Sequence, residues 1–158
     1  MTIFIIVISV IVSIMAFRNT ELFDRLKFNA YDVAQRKRMY QFFSYGLVHG
    51  NTLHLIINMF VLFSFGKIVE QDFIAIFGTT KGLISYGFLC VAAIGFSTLP
   101  SYGKHKNNIF YNAVGASGAV AAVVFALSRQ EVVDVDSVFA GELIDVDAGL
   151  IFQRVLGH

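Results

Sequence analysis

The sequence predicts an all-α membrane protein with about four transmembrane helices. Of its 158 residues, 56% are hydrophobic and only 15% are charged, whereas soluble domains carry about 25% charged residues. Four windows contain no Asp, Glu, Lys or Arg, and proline occurs once. Irregular backbone exposed to lipid leaves polar groups unsatisfied, so such windows favour helices.

The four charge-free windows supply the predicted helices in order. They are residues 1–17, 39–66, 82–103 and 107–128. A spanning helix needs about 20 mostly apolar residues, so the last three are long enough and the first is marginal. The first window lacks the basic start and small-residue cleavage site of a secretory signal peptide. This favours a short first span or signal anchor over a cleaved signal.

The connectors between the windows are charged. Residues 18–38 contain six basic and three acidic residues and are too long for a simple turn. We expect partly helical interfacial structure there, with aromatic residues such as Phe28 near the bilayer surface. Residues 67–81 are expected to form a short polar return, and the stretch around residues 100–108 is expected to form a loop.

The tail from residue 129 differs from the rest of the chain. It contains six acidic residues, two arginines and no apolar window of spanning length. We expect residues 129–158 to be a polar acidic tail that does not cross the membrane. Its weak alternation has the period of a strand, so we expect short strands or disorder. We hypothesise that a shifted reading frame near codon 128 causes the change.

Bulk properties exclude several functions. The net charge of +1 gives no reason to expect a nucleic-acid partner. The single cysteine, Cys90, lies in an apolar run and excludes a disulfide framework or a cysteine-based metal site. The lipid bilayer is the partner that the composition predicts, and the oligomeric state is left open.

Polar residues near the start of the second predicted span are candidates for function. In the segment HGNTLHLIIN, His54 and Asn58 are four residues apart and therefore share one helix face. His49 lies near the preceding loop. Ionisable groups inside a membrane are costly and by default mark function. In an alternative interpretation, His54 and Asn58 hydrogen-bond across helices and only hold the bundle together.

Ser117 lies in the segment GASG at the start of the fourth predicted span. Its hydroxyl is a candidate nucleophile, which needs an adjacent base to become reactive. In the alternative interpretation, Ser117 belongs to a stripe of small residues, including Gly115 and Gly118, that suits close helix contact.

Topology connects the two segments. Two membrane crossings return the chain to the same side, so His54, Asn58 and Ser117 are expected at similar depth. That arrangement suits acyl transfer, in which a hydroxyl attacks a carbonyl. The imidazole, the carboxamide and the serine N–H would stabilise the oxyanion.

Together, HGNTLHLIIN and GASG resemble the motifs of the rhomboid intramembrane serine proteases, over about residues 1–128. The resemblance implies a helical bundle with a water-filled cavity in which Ser117 is the nucleophile. His54 and Asn58 would serve the oxyanion hole, and His49 would be a structural or water-site neighbour. The implied substrates are transmembrane proteins cleaved near the lipid–water boundary of, we expect, the bacterial inner (plasma) membrane. The chemistry requires no metal or organic cofactor.

The chain departs from the rhomboid pattern at the general base. Rhomboids place the base histidine on a sixth helix, so far beyond the serine that the count from Ser117 passes the last residue, His158. We therefore expect a bundle truncated after its fourth helix, and a chain that is inactive or nearly so. His105 lies beside two lysines and His158 ends a polar tail, so neither is aimed at Ser117.

Three functional hypotheses follow, and one conflict stays open. The chain is a truncated rhomboid protease, a non-catalytic module that binds transmembrane helices, or a membrane protein whose polar residues are all structural. The six basic residues of the first connector place it in the cytoplasm by the positive-inside rule. The resemblance places it outside, and we follow the resemblance.

Overall fold

The computed structural model describes residues 1–139, with side chains through Ser128. Helices dominate this part of the chain, which confirms the all-α prediction. The elements in order are α1 Thr2–Arg18, α2 Thr20–Leu26, β1 Phe28–Asn29, α3 Ala30–Arg36, α4 Gln41–Ser44, a 3-10 helix Tyr45–Leu47, α5 Thr52–Phe77, α6 Thr79–Ser97, α7 Leu99–His105, β2 Asn112–Ala113 and α8 Ser117–Phe139.

Four helices form the bundle. Helix α5 packs against α1, α6 and α8, and α6 also packs against α8. The core between them is apolar and includes Leu62, Tyr86, Ala119 and Val123. Large apolar side chains such as Phe88 are exposed on the outside, as expected of helices surrounded by lipid.

Within the described residues, two helical segments are long and apolar enough to cross a membrane. They are Thr52–Phe77 and Thr79–His105, whereas Thr2–Arg18 and Ser117–Ser128 are shorter apolar helices. Two of the four predicted spans thus reach spanning length in the structure. The first window contains the 17-residue α1, and the fourth contains the beginning of α8, whose side chains are described only through Ser128.

The helix boundaries differ from the charge-free windows. Helix α5 begins only at Thr52, where the Asn51 side chain accepts a hydrogen bond from the His54 N–H at 2.8 Å. It runs to Phe77, so the polar return predicted for residues 67–81 is wrong. Charged side chains that reach water do not end a helix; here Gly78, with φ of 78°, separates α5 from α6.

The predicted loop around residues 100–108 is wrong over α7, which extends to His105. The fourth window holds a loop and β2 before α8 begins at Ser117. Helix α8 then continues through Phe139, so the short strands expected from residue 129 are wrong up to that point, while the tail as a separate segment stays a prediction. The remainder of the acidic tail, residues 140–158, lies outside the described residues.

The first connector is partly helical, as predicted, because α2 and α3 lie within it. Phe28 does not face lipid or water, however. It is completely buried and packs against Phe42 and Tyr45, with ring centroids 5.4 and 6.0 Å apart. Strand β1 pairs with β2 in antiparallel register, which ties the connector to the loop that leads into α8.

Candidate functional site

Ser117 is the first residue of α8 and its side chain is exposed. Within the described part of the chain, its hydroxyl makes no hydrogen bond. The first N–H groups of a helix have no partner inside the helix, so the Ser117 N–H is free to bind an acceptor at the same point. The hydroxyl and a backbone donor thus lie together at one helix end.

The turn before Ser117 depends on a glycine. Gly115 has φ of 109°, a conformation that side-chain-bearing residues rarely adopt. Its N–H donates to the Tyr45 carbonyl at 2.9 Å. A Cβ at this position would lie 2.6 Å from Cε1 and 2.9 Å from Nε2 of His54. The absence of a side chain therefore lets the His54 imidazole rest against the turn.

His54 is placed by the start of α5. It is the third residue of the helix, and the Asn51 cap binds its backbone N–H, a position at which capping is favoured. Its ring is half-buried. The Asn51 cap fixes the backbone of His54, and Gly115 contacts its ring. The His54 imidazole therefore lies against the residue two positions before Ser117.

Asn58 is buried one turn further along α5. Its Nδ2 donates to the His54 carbonyl at 3.0 Å, so one amide hydrogen is used within its own helix. Among the described residues, Asn58 makes no hydrogen bond to Ser117. Neither Asn58 nor the His54 ring hydrogen-bonds to another helix there. The cross-helix bonding of the alternative interpretation is thus not observed in the described residues.

His49 lies at the centre of the site, in the segment between the 3-10 helix and α5, outside the two long apolar segments. It is completely buried. Nδ1 is 2.9 Å from Ser13 Oγ, and Nε2 accepts the Ala116 N–H at 3.4 Å. Its ring meets that of His54 edge to face, with centroids 5.2 Å apart. Burial, then proximity to His54, lowers the pKa of His49 to about 4, so it is neutral at pH 7.

Gly118 performs a packing role. A Cβ there would lie 2.6 Å from Ser97 Oγ and 3.0 Å from the Ala93 carbonyl oxygen. Helix α8 therefore approaches α6 closely at Gly118, as the small-residue stripe predicts. The exposed side chain of Ser117 is not part of that buried contact.

Other candidate residues lie elsewhere. His105 stacks on Tyr111 with centroids 3.9 Å apart and planes at 3°, and it makes no hydrogen bond to Ser117 in the described residues. His158 lies outside the described residues. The residues through Ser128 contain no cluster of three His, Cys, Asp or Glu suited to a metal ion.

Sequence reasoning missed Ser13, Tyr45 and Asn51. Asn51 carried a usable signal, because Asn directly before an apolar run is a common helix cap. Ser13 carried none, since it resembles Ser9 in the same apolar window. Tyr45 contributes its backbone carbonyl, which any residue would supply.

The fold and the site define an all-α integral membrane protein in which His49, His54 and the turn before Ser117 meet at one end of the bundle. The family model described as a rhomboid domain matches residues 36–151, which is most of the chain. This chain belongs to the rhomboid family. The match begins later and ends later than the range of about 1–128 expected from the motifs. Searches among curated proteins and among solved structures return no match.

Proposed function

We propose that the chain carries the nucleophile and oxyanion hole of a rhomboid-type intramembrane serine endopeptidase. One observation carries the proposal: the Ser117 hydroxyl makes no hydrogen bond in the described residues and lies two residues after a glycine that contacts His54. A serine within a helix can donate its hydroxyl to a backbone carbonyl of the preceding turn. Ser128 does so, donating to the Phe125 carbonyl at 2.8 Å.

The proposed chemistry is attack of Ser117 Oγ on a peptide carbonyl. As the Oγ–C bond forms, the carbonyl electron pair moves to oxygen and creates an oxyanion. The Ser117 N–H, the His54 ring and the remaining Asn58 amide hydrogen are the proposed donors to this oxyanion. Removing one such donor costs about 3–4 kcal/mol of transition-state stabilisation in other enzymes.

The Ser117 proton needs a base, and no hydrogen bond joins the Ser117 hydroxyl to a histidine in the described residues. His49 uses both ring nitrogens elsewhere, and His105 stacks on Tyr111. We therefore propose that residues 1–158 alone are inactive or nearly so. The reading-frame hypothesis stays a prediction; reading the DNA beyond codon 128 in the other frames tests it, and the absence of an apolar span containing a histidine would refute it.

The absence of a base hydrogen-bonded to Ser117 in the described residues supports a second candidate, a non-catalytic protein that binds transmembrane helices. A serine with no adjacent base is a poor nucleophile, while the bundle and its polar end remain able to receive a helix. In both candidates the partners are transmembrane proteins in the bilayer, and the proposed location is the bacterial plasma membrane.

Fluorophosphonate labelling of the detergent-solubilised chain tests the endopeptidase proposal. We expect slow labelling at Ser117 that is abolished by Ser117→Ala and unchanged by Ser128→Ala, a matched exposed serine on the same helix. Labelling that survives Ser117→Ala would contradict the proposal.

Helix binding separates the two candidates. If Ser117 does not label, the non-catalytic candidate predicts that the chain still binds a transmembrane peptide in micelles. It also predicts that His54→Ala weakens this binding without unfolding the protein. Failure of the folded wild-type chain to bind would contradict this candidate.

A further inference from the structure

Two serines of α1 are buried in the same way but have different surroundings. Ser9 and Ser13 are four residues apart, and their exposed fractions are 1% and 0%. Ser9 Oγ has no hydrogen-bond partner in the described residues. Ser13 Oγ is 2.9 Å from the Leu47 carbonyl oxygen and 2.9 Å from Nδ1 of His49. Only Ser13 therefore connects α1 to the site.

The Ser13 hydroxyl determines which nitrogen of His49 carries the proton. A hydroxyl has one hydrogen, and the Leu47 carbonyl can only accept it. When the hydroxyl donates to Leu47, Ser13 Oγ can only accept from Nδ1 of His49, which makes Nδ1 the donor. A neutral imidazole carries one N–H, and Nε2 is consequently an acceptor.

The other side of the ring requires the same assignment independently. Nε2 of His49 faces the Ala116 N–H at 3.4 Å, a long contact in which the backbone is the only possible donor. A proton on Nε2 would place two donors against each other. The Leu47 carbonyl, Ser13, His49 and the Ala116 N–H thus form one chain of hydrogen bonds with a single consistent direction.

We propose that Ser13 is a positioning residue that holds His49 in its Nδ1–H tautomer, and that this tautomer anchors the backbone directly before Ser117. The tautomer follows from the contacts alone, whereas its consequence for reactivity rests on the proposed function. The Ala116 N–H and the neighbouring Gly115 N–H are both held, by His49 and by Tyr45. Of the three N–H groups from Gly115 to Ser117, only that of Ser117 has no partner in the described residues and can face a substrate.

Loss of the Ser13 hydroxyl removes the constraint at Nδ1. In Ser13→Ala, Nδ1 has no acceptor and the Leu47 carbonyl has no donor. The tautomer with the proton on Nε2 then becomes accessible, and it repels the Ala116 N–H. The turn that carries Ser117 is expected to shift relative to His54.

Nitrogen-15 NMR of the full chain in detergent, with labelled histidine, tests the proposal at pH 7. In the wild type, we expect a pyrrole-type Nδ1 and a pyridine-type Nε2 for His49, assigned by their disappearance in His49→Gln. We expect Ser13→Ala to mix or reverse the two signals. Ser9→Ala, which removes an equally buried hydroxyl from the same helix, is expected to leave them unchanged.

A second variant keeps the test decisive if Ser13→Ala does not fold. Ser13→Thr retains the hydroxyl and is expected to preserve the wild-type tautomer. If Ser13 only filled space, the larger threonine would give no reason to expect the same tautomer. A proton on Nε2 in the wild type would overturn the proposal without any variant. So would unchanged signals in folded Ser13→Ala, or equal changes in Ser9→Ala.

Reactivity is measured separately, as the fluorophosphonate labelling rate at Ser117. We expect Ser13→Ala to slow labelling on the order of tenfold, since small misplacements of reacting groups have effects of this size or larger. Ser9→Ala is expected to label like the wild type. If no variant labels, including the wild type, the endopeptidase proposal fails, while the tautomer measurement still decides the role of Ser13.

Discussion

The two ends of the helical bundle use buried polar groups differently. At the end distant from Ser117, Thr2 Oγ1 donates to the Tyr86 hydroxyl at 2.9 Å, and Glu70 accepts the Thr2 N–H at 2.7 Å. At the other end, His49 is fully hydrogen-bonded but Ser117 has no hydrogen-bond partner in the described residues. In the described residues the Ser117 hydroxyl is both unpaired and exposed at a helix end, two residues after the Gly115 contact with His54, whereas the unpaired Ser9 hydroxyl is buried inside α1. That combination distinguishes a candidate reactive end from a structural end.

The sharpest way to break this comparison is Gly115→Ala. The methyl group would combine an unfavourable φ with a 2.6 Å contact to His54 Cε1. We expect a loss of about 3 kcal/mol or more in the free energy of unfolding, together with loss of Ser117 labelling. Unfolding in mixed micelles, followed by circular dichroism, measures the first effect.

Gly78→Ala is the matched control, because it has φ of 78° and no atom within 4 Å of the added Cβ. It carries the backbone cost alone, so we expect a loss of about 1–2 kcal/mol and normal labelling. Equal effects of the two substitutions would contradict the importance of the His54 contact.

The second prediction concerns pH and the site end. The folded-state pKa of His49, about 4, lies below its ordinary value of 6.5, so between these values the unfolded chain binds a proton that the folded site excludes. The free energy of unfolding should therefore fall as the pH decreases from 6.5 to 4, by about 3 kcal/mol in total for this residue. His54 is the titratable group that faces His49.

Comparison with His49→Gln isolates this contribution, because the two proteins differ only at residue 49. Unfolding in mixed micelles at several pH values provides the measurement. The variant is expected to lose less stability over the same pH interval. Parallel curves for the two proteins would show that His49 is not held neutral by the fold.

A smaller effect is expected from Asn51→Ala, which removes the cap of α5 beside His54. Loss of such a cap costs about 1 kcal/mol, and the fraying first turn should slow labelling at Ser117. Asn19 caps α2 in the same way, accepting the Leu22 N–H at 3.0 Å, and it lies outside the site. Asn19→Ala should therefore reduce stability without slowing labelling; slowed labelling in both variants would refute a local effect of Asn51.

The smallest effect is expected at the structural end. Tyr86→Phe removes the partner of Thr2 Oγ1 and should cost about 1 kcal/mol in the free energy of unfolding. Labelling of the folded protein at Ser117 is expected to stay at the wild-type rate. A slowed rate would show that the two ends are coupled, and the comparison between them would fail.

The sequence was sufficient for the fold class and for the family. A low charged fraction and long charge-free windows predict membrane helices because unpaired backbone is excluded from lipid. The two short motifs identify the rhomboid pattern. Helix boundaries are less accessible, because the absence of charge does not show where a helix begins. The charge-free windows therefore include the segment before Thr52 and the loop before Ser117, which are not helical parts of α5 and α8. In addition, α5 extends through charged residues to Phe77.

The candidate site divides in the same way. The sequence predicts that His54 and Asn58 share a helix face, because helical periodicity depends on local spacing. It also predicts the number of crossings before Ser117, because the apolar segments can be counted along the chain. The direction of each polar group could not. Asn58 turns its amide to its own helix, and Ser13 bonds to His49 whereas Ser9, in the same apolar window, finds no partner.

The sequence by itself therefore determined that this is a helical membrane protein of the rhomboid family, because composition and period decide which segments enter lipid. Only the tertiary structure decided that His54 rests against Gly115, and that Ser13 and Ala116 together set the tautomer of His49. Those contacts join residues far apart in the chain, and whether a buried hydrogen bond forms depends on which groups packing brings within about 3 Å of each other.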